Sequence, residues 1–459
     1  MNSFSTAAAD NPGSAGQTGQ QISAEAVDQL QDEVLDWRYK AAPASASGQT
    51  AGDFTRSGKS LADLQTPLLT LDAGALRENM DHLAAWCARH GVLLAPHGKT
   101  TMAPQLWSEQ LRRGAWGISL ANLAQLRVAR AFGVHRLMLA NSLTDPHAIR
   151  WVAGESSREN PILSWVDSVQ TVELLERTLA AMEGKVVLDV LVEVGGLGGR
   201  TGARGFDAAL EVARAAANSD FLRLRGISGY EGSLAHAADP ESLAKVRNFL
   251  LEMKSVHQEL LAAKLYAADA DIVLTAGGSA YFDTVVEVLG PCIGAAAAES
   301  GKAEDTKEQR VDLVIRSGAY IIHDDGFYRQ ISPFSRHGAQ PLRAGMHGWA
   351  RVVSSPEPGL AILDAGKRDL PVDEGLPVPQ AIGSGLGAPM RPLAGSITAV
   401  NDQHCFLRFD AAASQVLPGD VVRLGLSHPC TAFDKWTLIP VLADTENDQR
   451  VVDLVHTFF

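Results

Sequence analysis

Lys99 is the first residue whose setting suggests chemistry. It stands in Pro96-His97-Gly98-Lys99-Thr100-Thr101, after the apolar run Val92 to Ala95 and before a segment with helical potential from Met102 to Arg113. That order puts Lys99 at the carboxyl end of a strand, where α/β barrels and sheets carry their active groups. Pro96 ends the strand, and Gly98 permits a close backbone approach. A lysine buried there has a lowered pKa and can form a Schiff base with a carbonyl compound. On these six residues alone, a solvated surface charge is the better reading.

Two glycine-bearing loops add to the picture. Thr275-Ala276-Gly277-Gly278-Ser279 and Arg316-Ser317-Gly318-Ala319-Tyr320 each follow an apolar strand. In a barrel they would be the seventh and eighth strand ends, which hold a phosphate with inward-pointing backbone N–H groups. Either loop alone is an ordinary turn, but the pair in these positions favours phosphate. Tyr230, in Gly229-Tyr230-Glu231-Gly232, ends the sixth strand and is either packed or functional. Arg200 follows the fifth and is either a surface charge or a ligand contact. Ser427-His428-Pro429-Cys430-Thr431 places a histidine and a cysteine two apart. In an extended segment both can face one side and offer Zn²⁺ a nitrogen and a thiolate. Spacing alone favours a packed histidine beside a buried cysteine.

The elements that position these residues alternate. Strands are expected at Val92–Ala95, Trp116–Ser119, Arg136–Ala140, Ile162–Val166, Val186–Val194, Leu222–Ser228, Asp271–Thr275 and Asp312–Ile315, with Ala-rich amphipathic segments between most of them. Eight such units argue for a closed (β/α)8 barrel, with an open doubly wound sheet as the alternative. The run Gly195 to Gly202 does not fit the dinucleotide fingerprint, and His97-Gly98-Lys99-Thr100 lacks the upstream glycine of a P-loop. Leu68–Leu71 is a further strand, followed by a helix from Ala75 to His90 that Asp72 can cap. Beyond about residue 330, the runs Gly348–Val353, Leu360–Leu363, Gly395–Val400, Cys405–Phe409 and Asp420–Leu424 predict an all-β domain. The expected organisation is an extension over residues 1–60, a barrel over 61–330 and a β domain over 331–459. Within the extension, residues 1 to about 25 read as disordered. Ala24 to Tyr39 reads as a helix with Val27, Leu30, Val34 and Trp37 on one face, and residues 42–60 read as linker.

The chain has 459 residues and a net charge of −13, which argues against nucleic acid or anionic membrane as a partner. No apolar run reaches the length of a membrane span, and the N-terminus lacks the features of a secretory signal. Cys87, Cys292, Cys405 and Cys430 show no disulfide framework. A cytoplasmic location is expected.

Taken in order, these motifs resemble the D-serine dehydratase and D-threonine aldolase group of fold-type III pyridoxal-phosphate enzymes. The resemblance runs from about Leu64 to Phe459. It implies an alanine-racemase-like barrel followed by a β domain. It implies that Lys99, in a stretch matching the family's cofactor-lysine motif, carries pyridoxal 5'-phosphate, with His97 and Arg200 in the cofactor-binding set. Gly277, Gly278, Ser279, Gly318 and Tyr320 fall where the family binds the phosphate, and Tyr230 falls near the pyridine ring. His428 and Cys430 match the metal pair, which is zinc in the dehydratases. The implied reaction is lysis of a β-hydroxy D-amino acid, foremost D-serine to pyruvate and ammonia. The alternative is retro-aldol cleavage of D-threonine or D-3-hydroxyaspartate, for which Mn²⁺ would suit an oxygen-rich site. Cys430 points to the dehydratases, because the aldolases tend to have Asp there, whereas Tyr230 to His236 looks more like the aldolases. A non-catalytic pyridoxal-phosphate homeostasis protein is the reading from another class, and the β domain with its His-Pro-Cys speaks against it. Racemisation would call for a tyrosine from the β domain, and no tyrosine follows Tyr328. The partner is then a small D-amino acid, and the resemblance leaves a homodimer or a monomer as the assembly.

Overall fold

A computed structural model describes residues 21–184, 186–295, 309–338 and 340–459. It divides into two compact units, each discontinuous in sequence. One comprises residues through Leu83, Gly98–Arg113 and Ala319–Phe459; the other comprises Ala84–His97 and Gly114–Gly318.

The second unit is the barrel. Its strands are Leu93–Leu94, Ile118–Leu120, Leu137–Ser142, Ile162–Val166, Leu188–Gly195, Leu222–Gly229, Ile272–Ala276 and Arg310–Ile315. From Ile118–Leu120 to Arg310–Ile315 each pairs in parallel with the next. Val314 and Ile315 then pair with Leu93 and Leu94. The ring closes where Trp116 and Ser119 donate backbone N–H bonds to Leu94 O and Pro96 O, at 2.7 and 3.0 Å, beside the parallel bridge His97–Ser119. All eight expected strands are present. They read as apolar runs because a parallel sheet wrapped by helices is covered on both faces. Ala95, Met138, Leu163, Trp165, Leu191, Val273 and Val314 form one buried cluster drawn from around the ring. Asn122, Asp145, Ser168 and Asp239 cap helices between strands by accepting backbone N–H bonds.

The first unit is built on a mixed sheet. Leu68–Asp72 runs antiparallel to Met346–Glu357 and parallel to Leu438–Asp444. Met346–Glu357 continues to Val421–Gly425 and then Val378–Gly383, while Leu438–Asp444 pairs with Asp448–His456. Leu360–Leu363, Cys405–Phe409 and Gly395–Val400 form a smaller antiparallel layer. The expected boundaries at residues 60 and 330 therefore do not coincide with the units. Leu68–Asp72 belongs to the β sheet because its five buried residues find strand partners on both sides there. Asp72 caps the following helix as expected, its Oδ1 accepting the Ala75 N–H at 2.7 Å.

The extension is corrected in two places. Its α-helix ends at Asp28, followed by a 3₁₀ turn over Gln29–Asp32. The chain then extends, with Leu35 bonded in both directions to the Gly48–Gln49 backbone. Val27 and Leu30 are buried, but Trp37 is 90% exposed, so the helical face does not continue. Residues 42–60 are not a plain linker. Thr50 caps the helix Ala51–Arg56, and Phe54 is fully buried. Lys40 bonds Asp369 at 3.0 Å and lies 3.7 Å above the Trp436 ring centroid. The expectation for residues 1–20 falls outside the described residues. We expect Phe54→Ala to destabilise the protein by about 3–5 kcal/mol, read as a lowered denaturant midpoint; a midpoint unchanged from wild type would show that this segment is not docked.

Among the described residues, no helix is long and apolar enough to cross a membrane.

Candidate active site

Within the first unit, Lys99 sits on a 3₁₀ turn, Gly98–Thr100, leading into the helix Pro104–Arg112. The turn is tight. Gly98 O accepts the N–H groups of Thr101 and Met102 at 3.3 and 2.8 Å, and Met102 is left-handed with φ +42°. Lys99 is half-buried, between buried Gly98 and Thr100. A short turn held by these two bonds fixes where the lysine stem starts.

The same unit brings Cys430, one of the two candidate metal ligands, to this turn. Cys430 Sγ lies 3.2 Å from the hydroxyl of Thr100, the residue after Lys99. His428 precedes the 3₁₀ turn Pro429–Thr431 and takes a left-handed conformation, φ +60°. Two aspartates hold it. Asp324 Oδ2 accepts the His428 N–H at 2.9 Å, and Asp373 Oδ2 lies 2.5 Å from His428 Nδ1. Asp373 also accepts the Thr431 hydroxyl at 2.6 Å. Burial alone would lower the His428 pKa, but hydrogen bonding and charge at Cys430 and Asp373 raise it to about 9. With Nδ1 turned to a carboxylate, Nε2 is the nitrogen that a metal would take, by displacing the proton that the raised pKa keeps there. Among the described residues, no set of three or more His, Cys, Asp and Glu side chains is arranged to hold a metal ion. Tyr320, expected at the phosphate, is buried in this unit and accepts a hydrogen bond from Gln110 Nε2 at 3.1 Å.

Within the barrel unit, the two glycine loops are adjacent, as expected. Gly277 O accepts the Arg316 N–H at 2.9 Å, and the Ser317 hydroxyl lies 3.4 Å from it. The N–H groups of Gly277 and Gly278 bond the Glu231 carboxylate, at 3.0 and 2.8 Å, so they do not point into an open anion site. Ser279, next in the chain, is half-buried, and Gly318 is buried. Tyr230 is 36% exposed, with the Arg200 guanidinium 5.3 Å from its ring centroid. These two line a recess together with Glu193, Thr201 and Ser233. Glu193 Oε1 accepts the Thr201 hydroxyl at 2.8 Å, while its buried Oε2 has no hydrogen-bond partner. Burial pushes the Glu193 pKa up. His97 makes the ring-closing bridge described above.

Sequence reasoning missed Glu231, Glu193, Asp324 and Asp373. Glu231 stood in the quoted Gly229-Tyr230-Glu231-Gly232 and was given no role. The others left no local signal: Asp373 lies 55 residues from His428.

The architecture, a closed parallel barrel and a mixed β unit carrying the His-x-Cys pair, is the alanine-racemase-like fold. An alanine-racemase-like protein from Idiomarina loihiensis superposes with a TM-score of 0.65 at 15% identity, over 86% of this chain and 96% of its own. The D-threo-3-hydroxyaspartate dehydratase from Delftia sp. HT23 superposes at 0.66 with 20% identity, over 87% and 99%. Residues 345–442 match the family model described as "Putative serine dehydratase domain". In sequence the chain is 26% identical to a D-threonine aldolase from Arthrobacter sp. over 387 residues, 84% of this chain and 91% of that one. It is also 26% identical over 332 residues to the 3-hydroxy-D-aspartate aldolase of Paracoccus denitrificans strain Pd 1222, covering 70% and 76%. The resemblance read from the motifs, to the D-serine dehydratase and D-threonine aldolase group, holds across most of the chain.

Proposed function

We propose that this protein is a pyridoxal-phosphate-dependent lyase that cleaves 3-hydroxy D-amino acids, with retro-aldol cleavage of D-threonine or D-3-hydroxyaspartate as its reaction. One observation carries the reading: Thr100, beside Lys99, touches Cys430 of the metal pair at 3.2 Å. A lysine one residue away from a contact with the His428–Cys430 segment suits a substrate whose amino and hydroxyl groups sit on neighbouring carbons. Aldol cleavage is placed ahead of the D-serine dehydration expected from Cys430, because the sequence relatives that span most of the chain are aldolases.

The residues fit both absent groups. Lys99 stands half-buried on a hydrogen-bonded turn, a fixed starting point for a covalent bond to an aldehyde cofactor. Lys99 would hold pyridoxal phosphate covalently; taken by themselves, the barrel-unit loops at Ser279 and Gly318 are the segments that the family resemblance assigns to a phosphate. When bound, that group supplies the electron sink for breaking a bond at Cα. His428 and Cys430 would hold a metal through nitrogen and sulfur, a donor set suited to Zn²⁺ with positions left for substrate. A metal there supplies Lewis acidity toward the hydroxyl oxygen. A free Lys99 amine would carry the proton delivered to Cα in place of the departing carbon. Asp373 and Asp324 keep the imidazole in one orientation. In the retro-aldol reaction the hydroxyl would lose its proton as the aldehyde C=O forms, Cα–Cβ would break, and Cα would gain one proton beside the hydrogen it keeps, so that the net change moves one proton from oxygen to Cα and gives glycine and an aldehyde.

Dehydration is the second reading, favoured by Cys430 in place of a carboxylate. It would break Cβ–O instead and end in a 2-oxo acid and ammonia. The test is product analysis of the reconstituted protein with D-threonine and D-threo-3-hydroxyaspartate. Glycine with acetaldehyde or glyoxylate supports the aldolase reading. 2-Oxobutanoate or oxaloacetate with ammonia selects the second. No turnover of any 3-hydroxy D-amino acid would overturn both.

A further inference from the structure

We propose that Glu231 is the positioning residue that sets the shape of the phosphate loop. This rests on the cofactor reading above. Glu231 begins a 3₁₀ turn directly after the sixth barrel strand and Tyr230, and it is fully buried. Its two carboxylate oxygens take the N–H groups of Gly277 and Gly278 at 3.0 and 2.8 Å. Charge-assisted bonds of this kind are among the strong ones. Gly277 is left-handed, φ +88°, and its carbonyl is held in turn by the Arg316 N–H. The peptide is thus gripped on both sides.

The loop has no room for side chains at these two positions. A Cβ at Gly277 would come within 2.9 Å of Ile315 Cγ2, and one at Gly278 within 3.0 Å of Tyr230 Cε2. The loop must therefore stay free of side chains there, and a flexible Gly-Gly pair needs an outside partner to choose one conformation. Glu231 provides it across a gap of 46 residues in sequence. Buried Arg316 extends the frame, bonding Thr275 Oγ1 at 2.5 Å and Gly229 O at 2.7 Å. It also supplies positive charge that interacts with Glu231. An N–H points in one direction, so the two glycine amides are committed to the carboxylate. What Glu231 contributes to an incoming phosphate is the placement of Ser279 and the backbone that follows.

The experiment titrates cofactor-free protein with pyridoxal phosphate and, separately, with pyridoxal, which has the aldehyde but no phosphate. Wild type should prefer pyridoxal phosphate. Glu231→Gln turns an NH₂ group toward one of the two amides and removes the charge. It should reduce the preference for the phosphate form by about tenfold or more, leaving pyridoxal affinity and the absorbance at saturation unchanged. Glu231→Asp keeps the charge but shortens the reach, and it too should lower the ratio, by less; it carries the test alone if the Gln variant does not fold. A folded variant with an unchanged ratio, or with both ligands weakened equally, would overturn the inference and leave the cofactor reading intact. Wild type that binds no pyridoxal phosphate would overturn the reading on which the inference rests.

Discussion

Lys99→Ala is expected to lower turnover of 3-hydroxy D-amino acids by at least about 10³-fold, because the covalent anchor and the proton carrier at Cα are lost together. The turn itself should survive. Its bonds run from Gly98 O to the backbone of Thr101 and Met102, and the Lys99 side chain takes no part in them. A melting temperature within a few degrees of wild type, alongside lost turnover and lost covalent cofactor, is therefore the expected pattern. Lys99→Arg retains a cation but forms no imine, so it should fail equally; this separates covalent chemistry from mere charge at the site. Near-wild-type turnover in either variant would remove Lys99 from the reaction.

Removal of metal, or replacement of its two ligands, should have the next largest effect. Cys430→Ser and His428→Asn are each expected to cut turnover by about 10²-fold or more, the scale of losing Lewis-acid help at the hydroxyl. Chelation should do the same to wild type, and added Zn²⁺ should restore it. Restoration by Mn²⁺ in preference to Zn²⁺ would argue that oxygen ligands dominate. Cofactor absorbance should persist throughout, since Lys99 is a separate attachment point. Asp373→Asn gives a graded version of the test: His428 keeps its place but loses the carboxylate 2.5 Å from Nδ1, so metal affinity should fall by about 10–100-fold. Full activity in verified metal-free protein would make His428 and Cys430 packing residues.

The barrel was legible in the sequence because strands covered on both faces announce themselves as continuous apolar runs, as in Ile162–Val166 and Ile272–Ala276. The β unit was half legible. Val378–Gly383 and Leu438–Asp444 carry Pro379 and Pro440 inside short strands, which masks their pattern. Leu68–Asp72 looked like a neighbour of the barrel because sequence order says nothing of a partner near residue 346. Trp37 fell on the apolar side of a helical pattern that the backbone abandons at Asp28. At the candidate site, Lys99, His428 and Cys430 were singled out by type and spacing, and their proposed roles come from the family resemblance. Glu231 and Asp373 were not, because their partners at 277, 278 and 428 are neighbours only in the folded chain. Short-range motifs reveal the groups that react, whereas the groups that orient them come from contacts that have no period.

Borohydride reduction of the protein loaded with pyridoxal phosphate, followed by peptide mapping, tests the central claim most directly. A single modified lysine, Lys99, is expected in the peptide that carries Thr100 and Met102, with the label lost when a 3-hydroxy D-amino acid is present in excess. A cofactor reduced onto any other lysine, or none retained, would contradict it.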